Sequence, residues 1–146
     1  MEKKDLKPAG VFKYFEEICQ VPRPSKKEEK IIAYLKAFGV KHNLETNVDE
    51  AGNVLIKKPA TPGKENLQTV ILQSHIDMVC EKNNDVQHDF LTDPIETEID
   101  GEWLKAKGTT LGADNGIGVA TELAILADDN IEHGPLECLF TVDEET

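Results

Sequence analysis

Thr69-Val70-Ile71-Leu72-Gln73-Ser74-His75-Ile76-Asp77 is an apolar run that ends in an imidazole and a carboxylate. The run Thr69 to Ser74 is continuous rather than alternating, which predicts a central strand of an α/β sheet. Two later stretches have the same plan. Gly108-Thr109-Thr110-Leu111-Gly112-Ala113-Asp114-Asn115-Gly116-Ile117-Gly118 is a glycine-rich loop that opens a helical pattern and carries an aspartate. Leu136 to Val142 is a second apolar run, followed at once by Asp143-Glu144-Glu145-Thr146. In open α/β sheets, sites assemble at the carboxyl ends of strands.

Outward from this frame, helical and strand patterns interleave, which predicts an α/β class with a mixed, mainly parallel sheet flanked by helices. Val11, Phe12, Phe15, Ile18 and Cys19 share one helix face. Val21-Pro22-Arg23-Pro24 ends that helix, because proline lacks a donor and bars the preceding residue from helical geometry. Ser25 and Glu28 have capping-box spacing ahead of a second helix with Ile31, Ile32, Leu35 and Phe38 inward. Gly39 lies late in that pattern, so the helix ends there or frays on towards His42.

Leu44 to Val48 and Val54 to Lys57 read as a hairpin around Glu50-Ala51-Gly52-Asn53. Pro59 to Gly63 is a loop, and Glu81 to Asp93 is polar and irregular. Asp100-Gly101, between Glu96–Ile99 and Glu102–Ala106, is the strongest hairpin signal in the chain. Ile117 to Ala127 is a helix with Val119, Ala120, Leu123, Ala124 and Ala127 inward. Leu136 to Val142 is the last strand, expected to lie at an open edge and to make the isolated chain sticky.

The chain has 146 residues, one domain's worth, with 39% hydrophobic and 30% charged residues. A net charge of −12 argues against nucleic acid and anionic membrane as partners, since both need a basic footprint. Neither a signal peptide nor a spanning helix is visible, and Cys19, Cys80 and Cys138 form no Cys-x-x-Cys pair. The cytoplasm is the expected compartment. Thr146 directly follows an interior-looking strand and two glutamates, which predicts a piece of a longer protein.

One histidine with several carboxylates is a hard, oxygen-rich donor set that suits zinc or manganese. His75 and Asp77 stand two apart, so a regular strand would put both on one face, with the carboxylate steering a metal-bound imidazole. The alternative is a surface histidine beside an unrelated acid. Asp114 at a helix start could be a simple N-cap, or a carboxylate bridging two cations. A phosphate loop is rejected, because Gly108–Gly112 lacks the following Lys-Ser/Thr and an aspartate would repel phosphate. The dinucleotide fingerprint also fails, with Thr121 where it wants Gly or Ala. Glu144 and Glu145 could both be solvated acids, yet three strand ends or loops carrying ligand-type groups point to most of a two-metal hydrolytic centre. His42, His88 and His133 read as surface residues.

Ser74-His75-Ile76-Asp77-Met78-Val79, Gly112-Ala113-Asp114-Asn115-Gly116 and Thr141-Val142-Asp143-Glu144-Glu145-Thr146 resemble successive motifs of the co-catalytic zinc peptidases related to carboxypeptidase G and aminoacylase. Cys80-Glu81-Lys82-Asn83, Trp103 to Leu111 and Gly134-Pro135-Leu136-Glu137 narrow the resemblance to the aminoacyl-histidine (Xaa-His) dipeptidases of the peptidase D type. It extends over essentially the whole chain.

The resemblance implies the first part of a zinc-peptidase catalytic domain over residues 1–146 and hydrolysis of dipeptides, Xaa-His above all. It implies two divalent ions, zinc first and manganese or cobalt as alternatives, with His75 on one, Asp114 bridging both and Glu145 on the other. Glu144 is the implied general base and Asp77 the residue that orients His75. The Asp114–Asn115 peptide is expected to be cis. Two further ligands, a lid or dimerisation domain and a homodimeric assembly belong to the same implication, beyond this chain. The rival readings are another amide hydrolase of the family, an N-acyl amino acid deacylase or a tripeptidase, and a non-catalytic metal- or partner-binding domain.

Overall fold

A computed structural model describes residues 1–146. After a single 3-10 turn the chain forms α1 (Ala9–Cys19), α2 (Glu29–Lys41), β1 (Glu45–Val48), β2 (Val54–Lys58) and β3 (Val70–His75). There follow β4 (Thr97–Asp100), β5 (Trp103–Ala106), α3 (Ala113–Ala127) and β6 (Leu136–Thr141). The class is mixed α/β, as the interleaved patterns predict.

The sheet order is β1-β2-β6-β3. The β1–β2 and β2–β6 pairs are antiparallel and only β3–β6 is parallel, so the expected mainly parallel sheet is corrected. The short loop joining β1 to β2 makes that pair antiparallel, and β2 meets β6 antiparallel through a long-range pairing that no local signal sets. Two expectations about edges are also reversed. β6 is paired on both sides, and β3 is an edge strand like β1, with Val70 50% and Ile71 61% exposed. An apolar run reports affinity for a core, not how many neighbouring strands this stretch of chain supplies.

Burial alternates along β6, where Leu136, Cys138 and Phe140 are buried and their neighbours are half-buried. In register with them lie Val54 and Ile56 of β2 and Leu72 of β3. This face meets Phe15 and Ile18 of α1, Ile31, Leu35 and Phe38 of α2, and Val119, Ala120 and Leu123 of α3 in one core. Each fully buried large apolar side chain contributes roughly 1.5–3 kcal/mol, so this shared face holds the helices to the sheet. The opposite face shows Leu55, Ile71 and Leu139 partly or fully to solvent.

Local readings hold with small shifts. α2 runs through Gly39 to Lys41, and a glycine stands at 39 because a side chain there would collide with Thr46 of β1. The β4–β5 hairpin pairs Asp100 with Trp103, placing the two-residue turn at Gly101-Glu102, one residue later than expected. The capping box is not formed. α2 starts at Glu29 with no side-chain cap, and Ser25 and Glu28 bond elsewhere. His42, His88 and His133 are half-buried rather than on the surface, His42 against Phe38 and His88 against Phe90. No helix is long and apolar enough to cross a membrane.

Candidate metal centre

The parallel pairing of β3 with β6 sets His75 opposite Thr141, so both strands deliver their carboxyl ends to one place. The Ile76 amide donates to the Thr141 carbonyl at 2.8 Å, carrying the pairing one residue past the strand. The loops holding Asp77 and Glu144-Glu145 therefore emerge side by side. α3 packs against β3 and brings Asp114 from its first turn.

At that turn the backbone leaves helical geometry at Asp114 (φ −95°, ψ 106°) and Asn115 (φ −112°, ψ 40°), and the peptide between them is cis, as the resemblance implies. Asp114 is not an N-cap: the cap position is Gly112, with no side-chain bond. The Asn115 side chain accepts from the Gly118 amide instead, at 3.1 Å. The Asp114 carboxylate is left free to point away from its own helix.

His75 is buried, and its Nε2 lies 3.0 Å from Asp114 Oδ1, 3.7 Å from Glu144 Oε2 and 3.9 Å from Glu145 Oε1. Its Nδ1 faces Asp77, 3.1 Å from the carbonyl and 3.3 Å from Oδ1. Asp77 is fully buried and ties the loops together. Oδ1 accepts from the Glu144 amide at 3.1 Å, and Oδ2 from the Glu145 amide at 3.1 Å and the Ser25 hydroxyl at 2.6 Å.

The electrostatics follow from these contacts. Burial alone would raise the Asp77 carboxyl, but the bonds from Ser25, Glu145 and Glu144 hold it below its ordinary value. Burial alone would lower the His75 imidazole. The Asp114 hydrogen bond, the Asp77 carbonyl and the charges of Asp77 and Glu144 outweigh it and hold the ring above its ordinary value.

Donor atoms of His75, Asp114 and Glu145 all lie within 4.8 Å of one another. With Nδ1–H turned to Asp77, the Nε2 lone pair confronts carboxylate lone pairs, which repel unless a proton or a cation sits between them. The donor set therefore fits a divalent cation. Glu144 stands beside this group without belonging to it. An open depression lined by Val79, Thr110, Leu111 and Ala113 adjoins Asp114 and Glu145.

All five residues singled out from the sequence, His75, Asp77, Asp114, Glu144 and Glu145, meet here. Sequence reasoning missed four others. Arg23 and Ser25 reach the β3 exit, the Glu28 carboxylate accepts from the Asp143 amide at 3.2 Å, and Asn53 Oδ1 accepts from the Val142 amide at 2.9 Å. Ser25 and Glu28 looked like caps, and no local pattern joins any of the four to partners at least 50 residues away.

The model of peptidase family M20/M25/M40 matches residues 71–146, which hold every one of the five convergent residues. The chain belongs to peptidase family M20/M25/M40. This is the family that the motifs resemble, and it is a metal-dependent one. The chain is 52% identical over 144 residues to the cytosol non-specific dipeptidase of Escherichia coli (strain K12), covering 99% of itself and 30% of that protein. It superposes with a TM-score of 0.96 and 53% identity on the crystal structure of aminoacylhistidine dipeptidase from Vibrio alginolyticus, over 100% of this chain and 30% of that one. Aminopeptidase PepT from Bacillus cereus is more distant, with a TM-score of 0.76 and 26% identity over 94% of this chain and 37% of that one. The M20 chain thus spans about a third of the length of the relatives it matches.

Proposed function

We propose that the protein carrying this M20 segment hydrolyses dipeptides, Xaa-His among them, at a centre of two divalent metal ions, zinc first. The observation that carries this reading is the convergence of His75 Nε2 with the carboxylates of Asp114 and Glu145 at one sheet end. Two relatives more than half identical to the chain bear dipeptidase names, which supports the substrate class. The first is called cytosolic, which supports a cytosolic location.

His75, Asp114 and Glu145 would hold the metal, and Asp114 would serve both ions. When bound, the ions supply Lewis acidity and make a water acidic enough to lose its proton near neutral pH. Glu144 takes that proton on Oε2 and returns it to the leaving amine. Asp77 keeps the His75 proton on Nδ1, so Nε2 stays a donor. Because Asp77 also binds the Glu144 and Glu145 amides, it sets where both side chains begin. In this proposal residues 1–146 are the amino-terminal part of the catalytic domain. The remaining ligands, a lid and the homodimer contacts lie in further chain. The likeness to an aminopeptidase favours, as a second reading, the same chemistry on another peptide.

The test separates the two adjacent glutamates in the full-length protein. Glu144→Ala should cost on the order of 10² to 10⁴ in turnover of a Xaa-His dipeptide while metal content stays near wild type. Glu145→Ala should lower metal content, and excess metal should partly restore rate. Equal metal loss in both variants would make both ligands, and an active Glu144→Ala would remove it as the base.

A further inference from the structure

Arg23 is 2% exposed, yet no carboxylate lies within ion-pair distance of it. Buried guanidinium groups ordinarily pair with an acid, because an uncompensated buried charge is costly. Here the fork is satisfied by carbonyls from two separate segments. Nη1 donates to the Ile76 carbonyl at 3.1 Å and more weakly to the Asp77 carbonyl at 3.5 Å. Nη2 donates to the Gly112 carbonyl at 2.7 Å. The Arg23 carbonyl in turn accepts from the Met78 amide at 3.0 Å.

These contacts bracket the candidate centre. Ile76 and Asp77 directly follow His75, and the Asp77 carbonyl that Arg23 meets is the one facing His75 Nδ1. Gly112 begins the turn that presents Asp114, and its carbonyl also accepts from the Gly116 amide at 2.9 Å. The glycines two residues either side of Asp114 make room for the same group. A Cβ on Gly112 or on Gly116 would stand 2.6 Å from Arg23 Nη2.

We propose that Arg23 is a positioning residue for the metal centre: its guanidinium joins the β3 exit carrying His75 to the glycine turn carrying Asp114 and so sets the separation of these two groups. The assignment rests on the metal-centre reading above. Two segments 35 residues apart in sequence have no backbone ladder between them at this point, so the planar fork supplies the missing cross-link. A lysine could carry the charge, but as a point donor on a flexible stem it cannot span both segments.

The test uses the full-length protein, with zinc affinity measured against a chelator, the absorption spectrum of the cobalt(II)-loaded protein, and the melt of the metal-free form. Arg23→Lys should lower the metal-free melt only modestly, bind zinc at least tenfold more weakly than that loss explains and shift the cobalt bands. Arg23→Ala should lose affinity further, and added guanidinium ion should restore both affinity and spectrum. Wild-type zinc affinity and cobalt spectrum in Arg23→Lys would overturn the assignment, as would affinity lost only in step with metal-free stability. If Arg23→Ala does not fold, Arg23→Lys alone decides. Wild-type protein that takes up no zinc would sink the metal-centre reading and this inference with it. Zinc binding by wild type, unchanged in Arg23→Lys, would sink only this one.

Discussion

The Asp77 carboxylate accepts from Ser25 and from the amides of Glu144 and Glu145 while facing the His75 ring, so one buried group ties three of the other four members of the site together. His75 pays for this crowding in protonation. Its folded value lies above the ordinary 6.5, so the imidazolium contributes stability that is full below 6.5 and is lost as pH rises through the folded value. The metal-free chain should therefore lose stability over that window. Zinc affinity should rise across it, as the proton stops competing for Nε2. Denaturation under chelator and zinc titrations at stepped pH check both, and His75→Gln should flatten both curves.

A second buried acid works against the fold. Glu122 on α3 is 4% exposed, and neither its Oε2 nor the nearby Ser74 hydroxyl has a well-formed hydrogen bond. Burial pushes its carboxyl up to about 8, with Ser74 pulling weakly the other way. A raised folded value means stability is greatest below the ordinary 4.5 and declines as pH climbs towards 8. Each unit of that climb is worth about 1.4 kcal/mol at most. Glu122→Gln should gain on wild type by a few kcal/mol between pH 5 and pH 8, read by denaturant melts. A pH-independent difference would mean the carboxyl ionises freely.

Among the elements, α2 shows local signals giving way to tertiary ones. An N-cap contributes about 1 kcal/mol, yet α2 goes without one, because Ser25 is bonded to Asp77 and Glu28 to the Asp143 amide. The bond that Ser25 makes to the buried Asp77 carboxylate outweighs a helix cap. The helix also keeps Gly39 in its interior, where alanine would favour helix by roughly 1 kcal/mol. Alanine does not fit, since its Cβ would overlap Thr46 Oγ1. Gly39→Ala should destabilise by about 1–3 kcal/mol, and Thr46→Ala in the same chain should recover part of the loss. Thermal melts of the two single variants and the double check this. A stabilised Gly39→Ala would show that α2 can slide off β1.

For the whole molecule, the 146 residues present three candidate ligands, His75, Asp114 and Glu145, and the proposed pair of ions would want about four donors each. The isolated segment should bind zinc much more weakly than the full-length protein and show no dipeptide hydrolysis. Activity in a contaminant-free preparation would refute this. The sheet adds a physical liability: β3 is an open edge, and Val70 and Ile71 on it are exposed. Unpaired edge strands with apolar side chains invite pairing between copies. The isolated segment should self-associate at micromolar concentration in sedimentation experiments, and Ile71→Lys should shift it towards monomer. A monodisperse monomer from the unmutated segment would contradict this.

Element type and the residues that converge on the candidate site were legible in the sequence, because both are written locally. Apolar spacing distinguishes helix from strand, turn residues mark hairpins, and an imidazole or carboxylate straight after an apolar run can be seen without coordinates. Spacing reports which face is buried, however, and not against what. The parallel pairing of β3 with β6 joins stretches 66 residues apart, and without it His75 and Glu145 would not meet. The antiparallel majority in the sheet, the open edge at β3, Arg23 between two loops, Ser25 turned from cap to Asp77 donor and Glu122 sealed beside Ser74 were likewise decided only by the tertiary structure. Each depends on a partner far away in the chain, and a hydrogen bond or a strand neighbour at that distance leaves no periodic trace in the residues that make it.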